Sequence, residues 1–177
     1  KLKELGYNLT GTEMEQAFQR FIVLADKKKE VSDRDIDALL QEEIVAIPES
    51  LTLDYIHISS GNQTVPTATV RLTQGEIGTA EAACGSGPID AVYKAIDRAS
   101  GISAKLESYA LQAVTGGKDA LGEVTVRIRG NGSTFIGRGT STDIIEASAK
   151  AYVHALNKLV YQRSQNPDDE APCKEEG

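Results

Sequence analysis

Apolar residues fall at two different spacings along the chain, and the change of spacing divides it. Over residues 12–28 they recur at helical intervals, with Met14, Phe18, Phe21, Ile22 and Ala25 on one face and Thr12 and Glu15 placed as a capping box. A shorter helix is expected from Ser32, with Asp35 three residues on and Ile36, Leu39 and Leu40 turned inward, and Pro48 sets a boundary soon after it. From Leu51 the spacing drops to two, which predicts strands at 51–59, 65–73 and 76–84 joined by Gly61-Asn62 and Gln74-Gly75 turns. A helix follows: Pro88 suits its first position behind Gly85-Ser86-Gly87, Ile89, Val92, Tyr93 and Ile96 form one stripe, and Gly101 ends it.

The same order then returns, with strands expected at 103–115, 121–130 and 133–140, a Gly130-Asn131-Gly132 turn, and a helix over 143–162. Gly87-Pro88-Ile89-Asp90-Ala91 opens the first helix as Thr142-Asp143-Ile144-Ile145-Glu146-Ala147 opens the second, so the chain contains a repeat. The expected fold class is α+β: two βββα units over 51–101 and 102–162, related by an approximate twofold axis and covering each other's apolar faces. Residues 1–50 form a helical connector before this 51–162 domain, and 163–177 a disordered polar tail.

Composition narrows the function. Forty per cent hydrophobic and 25% charged residues is ordinary for a globular domain, and a net charge of −7 lacks the basic field that a nucleic acid demands. No run of eighteen apolar residues and no leader is visible, so no membrane is expected and the cytoplasm is the expected address. Cys84 and Cys173 offer neither a disulfide framework nor zinc spacing, and His57 and His154 have no acidic or cysteine partner at ligand spacing. Asp168-Asp169-Glu170 sits in the tail, where no pocket tunes it. Neither a catalytic residue nor a metal site is expected.

Binding residues are a different matter. Gly85-Ser86-Gly87-Pro88 leads into a helix start, where free backbone N–H groups welcome an anion; the same glycines also serve a plain tight connection. Asp90, one turn in, reads either as a residue favoured by the helix dipole or as the counter-ion of an ammonium group. Tyr109, Leu111 and Ala113 alternate on one strand face, with the small Ala120 nearby, which suits a core or a pocket for a branched aliphatic side chain.

Three segments carry a resemblance: Gly85 to Ile96, Gly117-Lys118-Asp119-Ala120-Leu121-Gly122-Glu123-Val124, and Gly137-Arg138-Gly139-Thr140-Ser141-Thr142-Asp143 running on to Ala151. Together they closely resemble the regulatory domain of α-isopropylmalate synthases (2-isopropylmalate synthases), and Gly6-Tyr7-Asn8-Leu9 and Leu24 to Lys28 are similar to that family's connecting helical subdomain. The resemblance implies a parent acyltransferase of leucine biosynthesis that condenses acetyl-CoA with 2-oxoisovalerate on a divalent metal in a TIM barrel. None of that barrel is expected in this chain, which would turn nothing over and carry no cofactor of its own. It implies allosteric feedback inhibition by L-leucine, a homodimer, and a leucine site of Gly85, Gly87, Pro88, Ile89, Asp90 and Ala91 lined by Tyr109, Ala113, Ala120 and Ile144. The isoleucine-sensing regulatory domain of citramalate synthase is the alternative in the same class. The α-β-β-β-α order over 88–162 also resembles a double-stranded-RNA-binding module, which Asp143 and Glu146 argue against, since they would repel phosphate at the start of its last helix.

Overall fold

The computed structural model describes residues 11–27, 47–113 and 120–165. Its first element is the helix α1 (Gly11–Lys27). Three strands follow, β1 (Leu51–Gly61), β2 (Thr64–Gln74) and β3 (Ile77–Cys84), then the helix α2 (Pro88–Ser100). The second set is β4 (Lys105–Ala113), β5 (Gly122–Gly130) and β6 (Ser133–Ser141), closed by the helix α3 (Ile144–Gln165). Each triplet is its own antiparallel sheet, in the orders β1-β2-β3 and β4-β5-β6. The α+β fold of two βββα units is therefore as expected from the sequence. The second connector helix and the tail beyond Gln165 lie outside the described residues.

The repeat is deeper than the periodicity shows. Both first strands carry a bulge near the same place, with Asp54 in β1 and Glu107 in β4 falling out of register. Each displaced carboxylate meets a threonine and an arginine: Thr73 and Arg71 for Asp54, Thr134 and Arg129 for Glu107. A bulge raises local twist, so the two sheets curl alike.

The two helices that close the units pack against each other. α2 lies mainly on β2 and β3, and α3 lies on β5 and β6 and also reaches β1. Consecutive residues of α3, Ala147, Ser148 and Ala149, are all buried, as expected of a helix enclosed on several sides. The split between sheets also removes the RNA-binding reading, because α2 belongs with β1–β3 and not with the strands that follow it.

Two interactions tie the units together. Asn157 of α3 accepts from the Leu51 backbone N–H at 2.7 Å and donates to the Leu51 carbonyl at 2.9 Å, clamping the start of β1. Tyr152 stacks on Tyr93, with ring centroids 4.3 Å apart, and its hydroxyl donates to Asp97 Oδ1 at 2.8 Å. Burial pushes the Asp97 carboxyl up to about 6 from an ordinary 3.8, against the bond from Tyr152, which favours ionisation. The folded chain thus holds this proton more tightly than the unfolded one, so the stability it contributes is lost as pH rises from about 4 to about 6. Asp97→Asn keeps an acceptor for Tyr152 and removes the ionisation. Its melting temperature is expected to gain on the natural chain at pH 7 and not at pH 4; equal differences at both pH values would refute the assignment.

The two units differ in what their helices cover. When Gly87 is matched with Asp143, Asn157 falls opposite Gly101, the left-handed residue (φ 67) at which α2 stops. The longer α3 therefore reaches β1, whereas among the described residues no helix lies comparably over β4. Leu106, Tyr109, Leu111 and Ala113 share the face that carries the buried Val124, Val126 and Ile128 on β5, yet all four are exposed. The apolar stripe of α1 is uncovered too: Met14, Phe18, Phe21 and Ile22 are exposed, with Ala17 buried.

Candidate functional site

The start of α2 is built by close approach. Gly85 donates its N–H to the Pro66 carbonyl at 2.9 Å, and a Cβ at Gly85 would run into the backbone of Ala91, so only glycine lets the chain turn this tightly under the helix. Asp90 Oδ2 accepts from the Ser86 N–H at 2.7 Å, from the Ser86 hydroxyl at 3.2 Å and from Lys94 at 2.8 Å. Lys94 first, then the Ser86 amide, hold the Asp90 carboxyl below the usual carboxylate range. Asp90 thus closes the turn that precedes the helix as well as standing in its first turn. Gly87 occupies the N-cap in an extended conformation and supplies no side-chain cap, so the first amides of α2 keep their capacity for an anion.

The start of α3 is closed where that of α2 is open. Asp143 Oδ1 accepts from the Ile145 N–H at 2.7 Å and the Glu146 N–H at 3.3 Å, doing for α3 what no side chain does for α2. Glu146 then repeats Asp90: it accepts from Lys150 at 2.8 Å and from the Ser141 hydroxyl at 2.7 Å, and these bonds lower its pKa. The two helix starts share a carboxylate paired with the lysine four residues on, and they differ at the N-cap.

The sequence-expected residues fall into two groups. Gly85, Gly87, Pro88, Ile89, Asp90 and Ala91 form the α2 start. Tyr109 and Ala113 lie on β4, Ala120 lies half-buried ahead of β5, and Ile144 is the first residue of α3. Within the second group, Ser148 joins Tyr109 to Ile144. Ser148 Oγ donates to the Ile144 carbonyl at 2.7 Å, so the Tyr109 hydroxyl, 3.0 Å away, is the donor to Ser148. A Cβ at Gly122 would stand 3.5 Å from Leu111 and 3.8 Å from Ile144, which places those two side chains around it. The link between the groups is Tyr93, one turn down α2 from Ile89, whose hydroxyl comes near Tyr109 and Ser148.

Sequence reasoning passed over Tyr93 and Ser148 as contributors. Tyr93 read as one member of an apolar stripe, and Ser148 lies unmarked in an Ala-Ser-Ala run of the last helix. It also passed over two clefts on β1. One of about 640 Å³ is lined by Leu51, Leu53, Arg138, Lys150, His154 and Asn157, and one of about 310 Å³ by Leu53, Ile56, Asp143, Glu146 and Lys150 among others. None of the expected effector residues lines either. Size does not make them the better candidate for a carboxylate, because the helix start beside the smaller one is filled by Asp143. His154 Nδ1 accepts from the Arg138 N–H at 3.1 Å, and His57 is exposed on β1. Among the described residues no group of His, Cys, Asp and Glu could hold a metal ion, and no helix is long and apolar enough to cross a membrane.

Comparison with known proteins places this geometry. Residues 30–160 match the family described as the LeuA allosteric (dimerisation) domain. The chain is 51% identical over 162 residues to a 2-isopropylmalate synthase of Pelotomaculum thermopropionicum, covering 91% of this chain and 32% of that protein. It is 52% identical over 162 residues to the 2-isopropylmalate synthase of Carboxydothermus hydrogenoformans, with the same two coverages. That of Gloeobacter violaceus is 51% identical over 160 residues, covering 90% of this chain and 30% of the relative. The chain spans about a third of the length of these curated relatives.

Proposed function

Because this chain belongs to the family of LeuA allosteric (dimerisation) domains, we propose that it is the L-leucine-sensing, feedback-inhibitory part of a 2-isopropylmalate synthase. The observation that carries this reading is the uncapped start of α2, whose Tyr93, one helical turn on, comes near Tyr109 on the exposed apolar face of β4. A free α-amino acid with a branched side chain needs both: backbone amides for its carboxylate and an apolar wall for its body. Gly85, Gly87, Pro88, Ile89, Asp90 and Ala91 then hold the head group, and Tyr109, Ala113, Ala120 and Ile144 line the side chain. Residues 1–50 act as the connector to a catalytic barrel whose divalent metal and acyl transfer lie outside this chain.

Leucine inhibits by linkage: it binds one arrangement of the paired domains better than another, and a coupling of about 1–3 kcal/mol is enough. The second copy covers the face of β4, where Leu106, Tyr109 and Leu111 stand exposed. The test is a calorimetric titration with leucine, isoleucine and valine, with the mass in solution measured alongside. Leucine-selective binding to a dimer supports the reading. Preference for isoleucine moves the chain to the citramalate synthase alternative, and silence toward all three removes the sensing role.

A further inference from the structure

Tyr93 is 7% exposed, and its hydroxyl is wholly buried with no hydrogen-bond partner among the described residues. Buried tyrosine hydroxyls normally find a partner, because burying one without compensation sacrifices its bonds to water. The nearest hydroxyl, Ser148 Oγ, accepts from Tyr109 and donates to the Ile144 carbonyl; it steadies the Tyr93 hydroxyl only weakly against the effect of burial and makes no hydrogen bond of good geometry with it. Nor can the ring easily swing away to seek another partner. It stacks on Tyr152 at 4.3 Å, and Tyr152 is itself tied to Asp97. The result is an unpaired donor held rigidly between the two groups of expected effector residues, next to Tyr109 and one turn from the open α2 start. Long side chains on a helix lean toward its N-terminus, which is the direction of those free amides.

We propose that the Tyr93 hydroxyl is a further effector-contacting group that donates a hydrogen bond to the carboxylate of the bound amino acid. The inference rests on the sensing role proposed above and deepens it. Backbone amides of the α2 start take one carboxylate oxygen and Tyr93 takes the other, so the hydroxyl gains a full hydrogen bond in the occupied site. The same contact anchors the ligand to the Tyr93–Tyr152 stack and therefore to the joint between the two units.

Tyr93→Phe removes only the oxygen and keeps the stack. In calorimetric titration of the 177-residue chain with L-leucine, the variant is expected to bind about 10-fold more weakly, as loss of one hydrogen bond to a charged group implies. Its melting temperature without leucine should be equal to or above that of the natural chain, because a buried unpaired oxygen has gone. Equal affinity in the two proteins overturns the contact while leaving leucine sensing intact. A lower melting temperature in Tyr93→Phe overturns it as well, since the hydroxyl would then be serving the fold. Failure of the natural chain to bind leucine is a separate result, which removes the sensing role and this contact with it.

Discussion

Gly137→Ala is expected to lower the stability of the chain by about 3 kcal/mol or more, at the upper end of what overpacking a filled interior costs. A Cβ at Gly137 would collide with the Ala151 carbonyl oxygen and stand 2.6 Å from the Ala155 nitrogen. Gly139 is similarly placed one turn earlier on α3, against the Ala147 carbonyl and, at 2.6 Å, the Ala151 nitrogen. The opposing atoms are helix backbone, which cannot rotate aside as a flexible side chain would. Two glycines on β6 thus face alanines spaced every fourth residue on α3, and this contact sets how closely the helix lies on its sheet. For a chain of this size a loss of that order corresponds to a fall of roughly 10 °C in melting temperature. Thermal denaturation of Gly137→Ala reads it directly, and a change of only a degree or two would show that α3 does not lie on β6 as described.

Gly87→Asp is expected to have the opposite balance, with little change in stability and a loss of about 100-fold in leucine affinity. Nothing lies within 4 Å of a Cβ built at Gly87, and its backbone is extended, so aspartate fits there without strain. The new carboxylate would occupy the first amides of α2 as Asp143 occupies those of α3. Capping in place of glycine contributes a few tenths of a kcal/mol to the helix. The effector's own carboxylate then loses its charge-assisted bonds, worth about 1.5–3 kcal/mol, and meets a like charge. Calorimetric titration beside a melting curve separates the two effects. Unchanged leucine affinity in a folded Gly87→Asp chain would place the site elsewhere.

Much of this architecture is written in the order of residues. The period-two runs and helical stripes mark the six strands and the helices flanking them, because which face of a strand or helix is apolar depends on neighbours only two to four residues away. The duplicated βββα order is legible for the same reason, whereas the contrast between Gly87 and Asp143 at the two helix starts emerges only from the hydrogen bonds of their caps. The ends are less legible: α3 runs to Gln165, past the 162 expected from the pattern, and β4 begins at Lys105 where 103 is expected, because strand and helix ends depend on what they pack against. The bulges at Asp54 and Glu107 show in the sequence only as a one-residue slip of the alternation, from Leu51 and Leu53 to Ile56 and Ile58 and from Leu106 to Tyr109 and Leu111, and the partners that fix them lie on other strands.

What the sequence alone determined is a repeated α+β unit whose first helix starts at a glycine turn followed by Pro88. Three things were decided only by the tertiary structure: that α3 reaches across to clamp β1 while α2 stops at Gly101, that the apolar face of β4 is left open by the described residues, and that the buried Tyr93 hydroxyl comes near Tyr109 and Ser148 without a well-formed hydrogen bond. Apolar stripes state which face must be covered, but the covering group comes from distant parts of the chain, and small differences in helix length and approach decide which faces remain for a ligand or a second copy.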